Sequence, residues 1–144
     1  MNEEQNKMKA DCVCDVYSIL KTIYETQSKA NLSIFKGVLP ETIPFILYSI
    51  ETMNPCIASG IAPSLQSSFS TSFFRIEKLT NSSVYLMLLL PSDVEGNYKE
   101  PPSIPYRLKK TNSKVIISLK NICGIQCINP KLVNRQVIIS GKEK

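Results

Sequence analysis

Phe74-Arg75-Ile76-Glu77-Lys78-Leu79-Thr80-Asn81-Ser82-Ser83-Val84-Tyr85-Leu86-Met87-Leu88 decides the fold. It opens on alternating apolar and charged residues, passes through a Thr-Asn-Ser turn, and ends in an apolar run. That is the pattern of a β-hairpin. Asn tolerates the left-handed conformation, and Asn and Ser bond locally to backbone, so the tripeptide suits a turn. A second version follows: Tyr106-Arg107-Leu108-Lys109-Lys110-Thr111-Asn112-Ser113-Lys114-Val115-Ile116-Ile117-Ser118-Leu119. With Leu79 skipped, seven of fourteen aligned positions are identical. Strand alternation sets Phe74 and Ile76, and likewise Tyr106 and Leu108, on one face, with Arg75 and Arg107 on the other. Two equivalent hairpins in one chain predict a mainly β domain, an antiparallel β-sandwich or barrel-like fold.

Outward from the repeat, further strands are expected at Ile43–Glu51 and, more weakly, Val137–Ser140. The repeat itself supplies Phe73–Leu79, Val84–Leu90, Tyr106–Lys110 and Val115–Leu119. Residues 91–105 form a polar, Pro-rich connection. Towards the N-terminus the period changes. Val13, Val16, Leu20 and Ile23 recur at helical spacing, with Tyr17, Ile19 and Tyr24 widening the stripe. This predicts one N-terminal α-helix over about 12–29, with Asp11 as N-cap and Lys29 suiting the C-terminal dipole. Residues 1–11 lack periodicity and read as a flexible arm. Residues 12–140 form a single β-rich domain, and 141–144 a tail. At 144 residues the chain is one domain long.

Charge is uneven. Residues 1–30 hold four Lys against five acids, and residues 31–105 four basic groups against six acids. Residues 106–144 hold nine basic groups and one acid, net +8, within a whole-chain net charge of +5. Arg107, Lys109, Lys110, Lys114, Lys131 and Arg135 are therefore a candidate basic contact surface, able to meet an acidic protein face or a polyanion. Only two of those six are arginines, the better readers of phosphate and base edges, which weighs against nucleic acid. The longest apolar run, Val84 to Leu90, is far below the ~20 residues of a membrane helix. The acidic, polar start Met1-Asn2-Glu3-Glu4 does not resemble a secretory signal.

Catalysis finds no constellation. The chain has no histidine, so Ser–His and Cys–His dyads and imidazole metal sites are excluded. Its five glycines are isolated, so no glycine-rich phosphate loop exists. No cofactor is implied. The five cysteines are Cys12, Cys14, Cys56, Cys123 and Cys127. A four-thiolate zinc site would have to pool Cys12, Cys14, Cys123 and Cys127, but C-x-C and C-x₃-C do not match the usual paired-knuckle spacing. Cys123 and Cys127 are expected in a turn just past a strand. Cys56, between Pro55 and Ile57, is the candidate buried free thiol.

Several stretches carry a resemblance: Cys12-Val13-Cys14-Asp15-Val16, Ile43-Pro44-Phe45-Ile46-Leu47-Tyr48, Phe73-Phe74-Arg75-Ile76-Glu77, Tyr106-Arg107-Leu108-Lys109-Lys110-Thr111-Asn112, and most specifically the block from Cys123 to Arg135. Together they resemble the bacterial spore coat and exosporium structural proteins of the CotY/CotZ (ExsY-like) family, over nearly the whole chain. The resemblance implies a non-enzymatic protein made in the mother-cell cytoplasm and deposited on the spore surface, in the coat crust or exosporium. It implies assembly with itself into ordered oligomers or two-dimensional lattices, alongside other coat or exosporium proteins. It also implies intersubunit disulfides, for which Cys12, Cys14, Cys123 and Cys127 are the candidates. The alternative from another class is a small basic nucleic-acid or anionic-polymer binding module using residues 106–144.

Overall fold

The computed structural model describes residues 3–62 and 66–138, with residues 3–14 described by backbone alone. A long helix, α1 (Glu3–Lys29), is followed by seven strands. They are β1 (Phe45–Ser49), β2 (Ala58–Ala62), β3 (Ser67–Thr71), β4 (Phe74–Leu79), β5 (Ser83–Ser92), β6 (Arg107–Ser118) and β7 (Ile122–Cys127). Five form an antiparallel sheet in the order β6-β5-β4-β1-β7, and β2 and β3 pair as a separate ribbon. The mainly β, antiparallel reading with one N-terminal helix therefore stands. The sandwich or barrel does not: β6 and β7 are the two ends of the five-stranded sheet, and among the described residues the one other sheet is the two-stranded ribbon.

The sheet is covered chiefly on one face. Alternation along the strands aims Phe45 and Leu47 (β1), Phe74 and Ile76 (β4), and Val84, Leu86, Leu88 and Leu90 (β5) the same way. Val16, Leu20 and Ile23 of α1 meet them over β4 and β7, while Ala62 and Phe69 of the ribbon meet them towards β5 and β6. The helix and the ribbon thus share the work a second sheet does in a sandwich. The opposite face has only a small cluster: Phe73, Leu89 and Leu108, packed by Ile46, Met87, Ile128, Leu132 and Val133.

Helix α1 begins at Glu3, so Asp11 lies inside it rather than capping it, and residues expected as an arm have helical backbone from position 3 onward. Val16, Leu20 and Ile23 are buried, whereas Ile19 and Tyr24 of the expected stripe face solvent. The stripe continues instead through Gln27, which is buried. Its Nε2 donates to the Ile76 carbonyl at 3.1 Å, and its Oε1 accepts from the Ile43 amide at 3.0 Å. One polar side chain thereby joins the helix to β4 and to the segment that leads into β1.

The two copies of the repeat fold differently. Thr80–Ser83 makes the turn between β4 and β5: the Thr80 amide donates to the Ser83 carbonyl at 2.9 Å, and Thr80 Oγ1 accepts from the Ser83 amide. Thr111-Asn112-Ser113 makes no turn. It lies inside β6, which runs unbroken from Arg107 to Ser118. Register steps from Met87↔Lys114 to Leu89↔Lys110, so Leu88 alone on β5 faces all three residues. They form a bulge of the special kind, with two extra residues rather than one. Thr111 Oγ1 donates to the Leu88 carbonyl at 2.6 Å, and Ser113 Oγ accepts from the Ile61 amide at 3.1 Å. The second hairpin is thus overturned by the long ladder to β5, which pairs both halves of β6 with one partner strand. Its apolar residues also change face: Phe74 and Ile76 belong to the main core and Leu108 to the smaller cluster.

The bulge seats the ribbon. Gly60 of β2 approaches it so closely that a Cβ there would lie 2.5 Å from Ser113 Oγ. Only glycine fits that contact without displacement. Of the weak strand expected at Val137–Ser140, residues 137–138 are not strand, and 139–140 lie outside the described residues, as does the tail at 141–144.

Candidate functional site

Three features of the surface can carry function: thiols on an edge strand, a charged network on the sheet, and an apolar groove. Cys123 and Cys127 do not sit in a turn. Both belong to β7, which pairs with β1 on one side and, among the described residues, has no strand along its other edge. Cys127 is exposed and stands opposite Phe45. Cys123 is the extra residue of a bulge, because the register steps from Tyr48↔Gly124 to Ser49↔Ile122. A bulge re-aims its side chain, and Cys123 Sγ lies 3.6 Å from the Ser49 carbonyl and 3.4 Å from Met53 Sδ. Four residues apart on one strand, the Cys123 and Cys127 backbones are about 13 Å apart. One zinc ion cannot bridge that span, and among the described residues no cluster of three or more Cys, Asp or Glu is placed to hold a metal.

Cys56 is half-buried, packs against the main core and donates its amide to the Leu47 carbonyl at 2.7 Å. Burial pushes its thiol above the ordinary range, and the neighbouring Cys123 acts in the same direction. Partial desolvation by neighbouring atoms also raises Cys127, though its side chain remains open to solvent. Cys56 is expected to be the last of Cys56, Cys123 and Cys127 to react with iodoacetamide at neutral pH, its rate rising with pH as thiolate forms. Timed alkylation read by mass spectrometry checks this; labelling of Cys56 ahead of Cys127 contradicts it. The side chains of Cys12 and Cys14 lie outside the described residues, and their backbone belongs to α1.

The basic residues do not form one face. Lys110 and Lys114 stand opposite Leu89 and Met87, on the side away from α1, whereas Arg107 and Lys109 stand opposite Ser92 and Leu90 on the other. Lys110 is paired with Glu41 at 2.6 Å, and Lys114 reaches Glu77 at 3.7 Å. Arg135 stacks over Tyr106, 3.9 Å from the ring centre. Arg107 Nε is buried without a hydrogen-bond partner, while Lys109 and Lys131 are exposed. Arg75, which the repeat treats merely as a matching arginine, organises the network. It bonds Thr42 Oγ1 at 2.9 Å and the Glu41 carbonyl at 3.0 Å, and pairs with Glu77. The Lys110 ammonium holds the Glu41 carboxyl below its usual range. That pair's contribution is present above the ordinary glutamate pKa and lost as pH falls through the lowered one. With Glu41 largely exposed, it stays under about 1 kcal/mol.

The groove lies over the smaller cluster, on the face away from α1, with a volume of about 490 Å³. Buried Phe73 and half-buried Ile46 line it together with Pro55, Ile57, Ile104 and Leu132. No charged side chain lines it. Nothing in the sequence marked it, because its walls come from three separate loops of ordinary composition. Among the described residues no helix is long and apolar enough to cross a membrane.

A sheet with thiols on an end strand and an apolar groove on one face presents packing surfaces, and the comparisons with known proteins agree: this is a structural protein of the bacterial spore coat. The family described as spore coat protein Z matches residues 1–130, and the chain belongs to it. It is similar to spore coat protein Z of Bacillus subtilis (strain 168), with 29% identity over 138 residues, covering 91% of this chain and 84% of that protein. No solved structure matches.

Proposed function

We propose that this chain is a self-assembling brick of the outer spore layer, coat crust or exosporium, which forms ordered oligomers or two-dimensional lattices with itself and with other coat proteins. The observation that carries the reading is the outer edge of β7, unpaired among the described residues, with Cys127 exposed on it. An unpaired strand edge is a template for a neighbouring chain, and an exposed thiol there can lock a contact once made. The basic-module alternative is weakened by the pairing of Lys110 and Lys114 with Glu41 and Glu77, which leaves little concentrated charge for a polyanion.

Disulfides would harden the layer rather than build it. A pair of thiols, Cys12 or Cys14 on one subunit and Cys123 or Cys127 on the next, loses two protons and two electrons to dissolved oxygen as the bond forms. The Cα atoms must come within about 7 Å. Purified protein at micromolar concentration is expected to form large ordered species by sedimentation and negative-stain microscopy, in reducing buffer as well as in air. After oxidation a non-reducing gel should show a covalent ladder that the Cys12→Ser/Cys14→Ser double variant loses. A monomer at every concentration, oxidised or reduced, overturns the assembly reading. A full ladder from the double variant removes α1 as the linker.

A further inference from the structure

We infer that the groove is the socket for a second copy of this chain, and that its plug is the apolar loop just after α1. This rests on the self-assembly reading and names the contact that reading leaves open. Leu32, Ile34 and Val38 are 53%, 77% and 72% exposed within a stretch of seven residues, three of which form a short 3₁₀ turn, Ser33–Phe35. Scattered exposed apolar residues are ordinary, but three large aliphatic side chains on one short loop form a patch that excludes water poorly. The groove answers it in kind. Ile104 is 92% and Ile57 61% exposed along its lining, which also holds buried Phe73 and half-buried Ile46.

Within one molecule the loop does not fill the groove: none of the residues that line it comes from residues 30–40. The plug of one copy is therefore free to enter the socket of another. Such a contact is heterologous: each copy presents a free plug and a free socket, so the array grows into a ring or an extended row.

Charge agrees with this pairing. Residues 28–40, which carry the plug, hold Lys29 and Lys36 and no acid, net +2. The three loops of the socket, residues 51–57, 100–105 and 128–132, hold Glu51, Glu100 and Lys131, net −1. Opposite signs at the rim of an apolar contact favour this orientation over plug-to-plug or socket-to-socket pairing.

The test uses the full chain and two variants, Ile34→Asp in the plug and Ile104→Asp in the socket. Both positions are exposed, so folding measured by circular dichroism is expected to be unchanged. Burying a charge in an apolar socket is expected to raise the concentration needed for assembly by about tenfold or more in each variant alone. Mixed in equal amounts, the variants should give a discrete dimer by light scattering and nothing larger. The intact plug of Ile104→Asp fills the intact socket of Ile34→Asp, and both remaining ends are blocked. As a control, Ile116→Asp, on β6 away from plug and socket, should assemble like wild type. If wild type assembles and the two variants do so equally well, if their mixture stays monomeric, or if Ile116→Asp fails as they do, the socket is overturned and self-assembly stands. If wild type itself never assembles, both fall together.

Discussion

Phe74→Ala is expected to destabilise the domain by about 3–5 kcal/mol, the range for emptying a fully buried aromatic site. Phe74 has no exposed surface and stands on β4 between Phe45 of β1 and Leu88 of β5. It is the sole register position at which β1 meets β4. The cavity would open where the two halves of the sheet are joined by least backbone, so collapse around it is limited. In a chain of this size the loss corresponds to a fall in melting temperature of roughly 10 °C or more. Tyr106 is the informative partner. The repeat makes it the equivalent of Phe74, but it is half-buried under the Arg135 guanidinium. Tyr106→Ala is expected to cost about 1–2 kcal/mol, the loss of one stacked, partly solvated ring. Urea unfolding of both variants settles the matter. Equal losses would mean that the two segments occupy equivalent places after all.

Gln27→Ala is expected to cost about 1–3 kcal/mol, more than its apolar contribution suggests. Its loss leaves the Ile43 amide without its acceptor and takes from the Ile76 carbonyl one of two donors, the other being Arg75 Nη1 at 3.4 Å. A buried polar group left without a partner costs about 1–3 kcal/mol. Gln27→Leu restores volume without restoring either bond and is expected to remain well below wild type. Gln27→Glu keeps an acceptor for Ile43 but places a carboxylate against the Ile76 carbonyl. Its deficit relative to wild type is therefore expected to shrink as the pH is lowered and the carboxyl regains a proton to donate. Thermal unfolding across pH checks this; a leucine variant as stable as wild type would show that water replaces the amide.

The legible parts of the fold were those where chemistry repeats along the chain. Val16, Leu20 and Ile23 gave the buried face of α1, and Val84 to Leu90 gave β5, because period and burial coincide there. The ribbon was not legible. Ala58-Ser59-Gly60-Ile61-Ala62 and Ser67-Ser68-Phe69-Ser70-Thr71 are small and hydroxyl-rich, and their strands exist because they dock on the sheet, a cause outside their own sequence. The helix extends to Glu3 through residues without an apolar stripe, which no period could reveal. Gln27 falls on the core face, where polarity argued against it, and its partners lie 16 and 49 residues away. At the surface the cysteines and lysines were visible as residue types. Their setting was not: a bulge at Cys123 and an ion pair across 69 residues at Lys110 follow from strand pairing.

The bulge at Thr111–Ser113 also constrains how this gene can change length. Three residues of β6 facing one of β5 add two to the count, an even number, so the alternation of inward and outward side chains stays in phase on both sides. Loss of a single codon there would turn Leu108 out of its cluster or Val115 out of the main core, and selection would remove it. Loss of two codons would keep every side chain on its face and would merely flatten the strand, withdrawing the ledge on which Gly60 rests. Descendants of this sequence should therefore differ at this point by pairs of residues, with any shortening accompanied by relaxed selection for glycine at position 60.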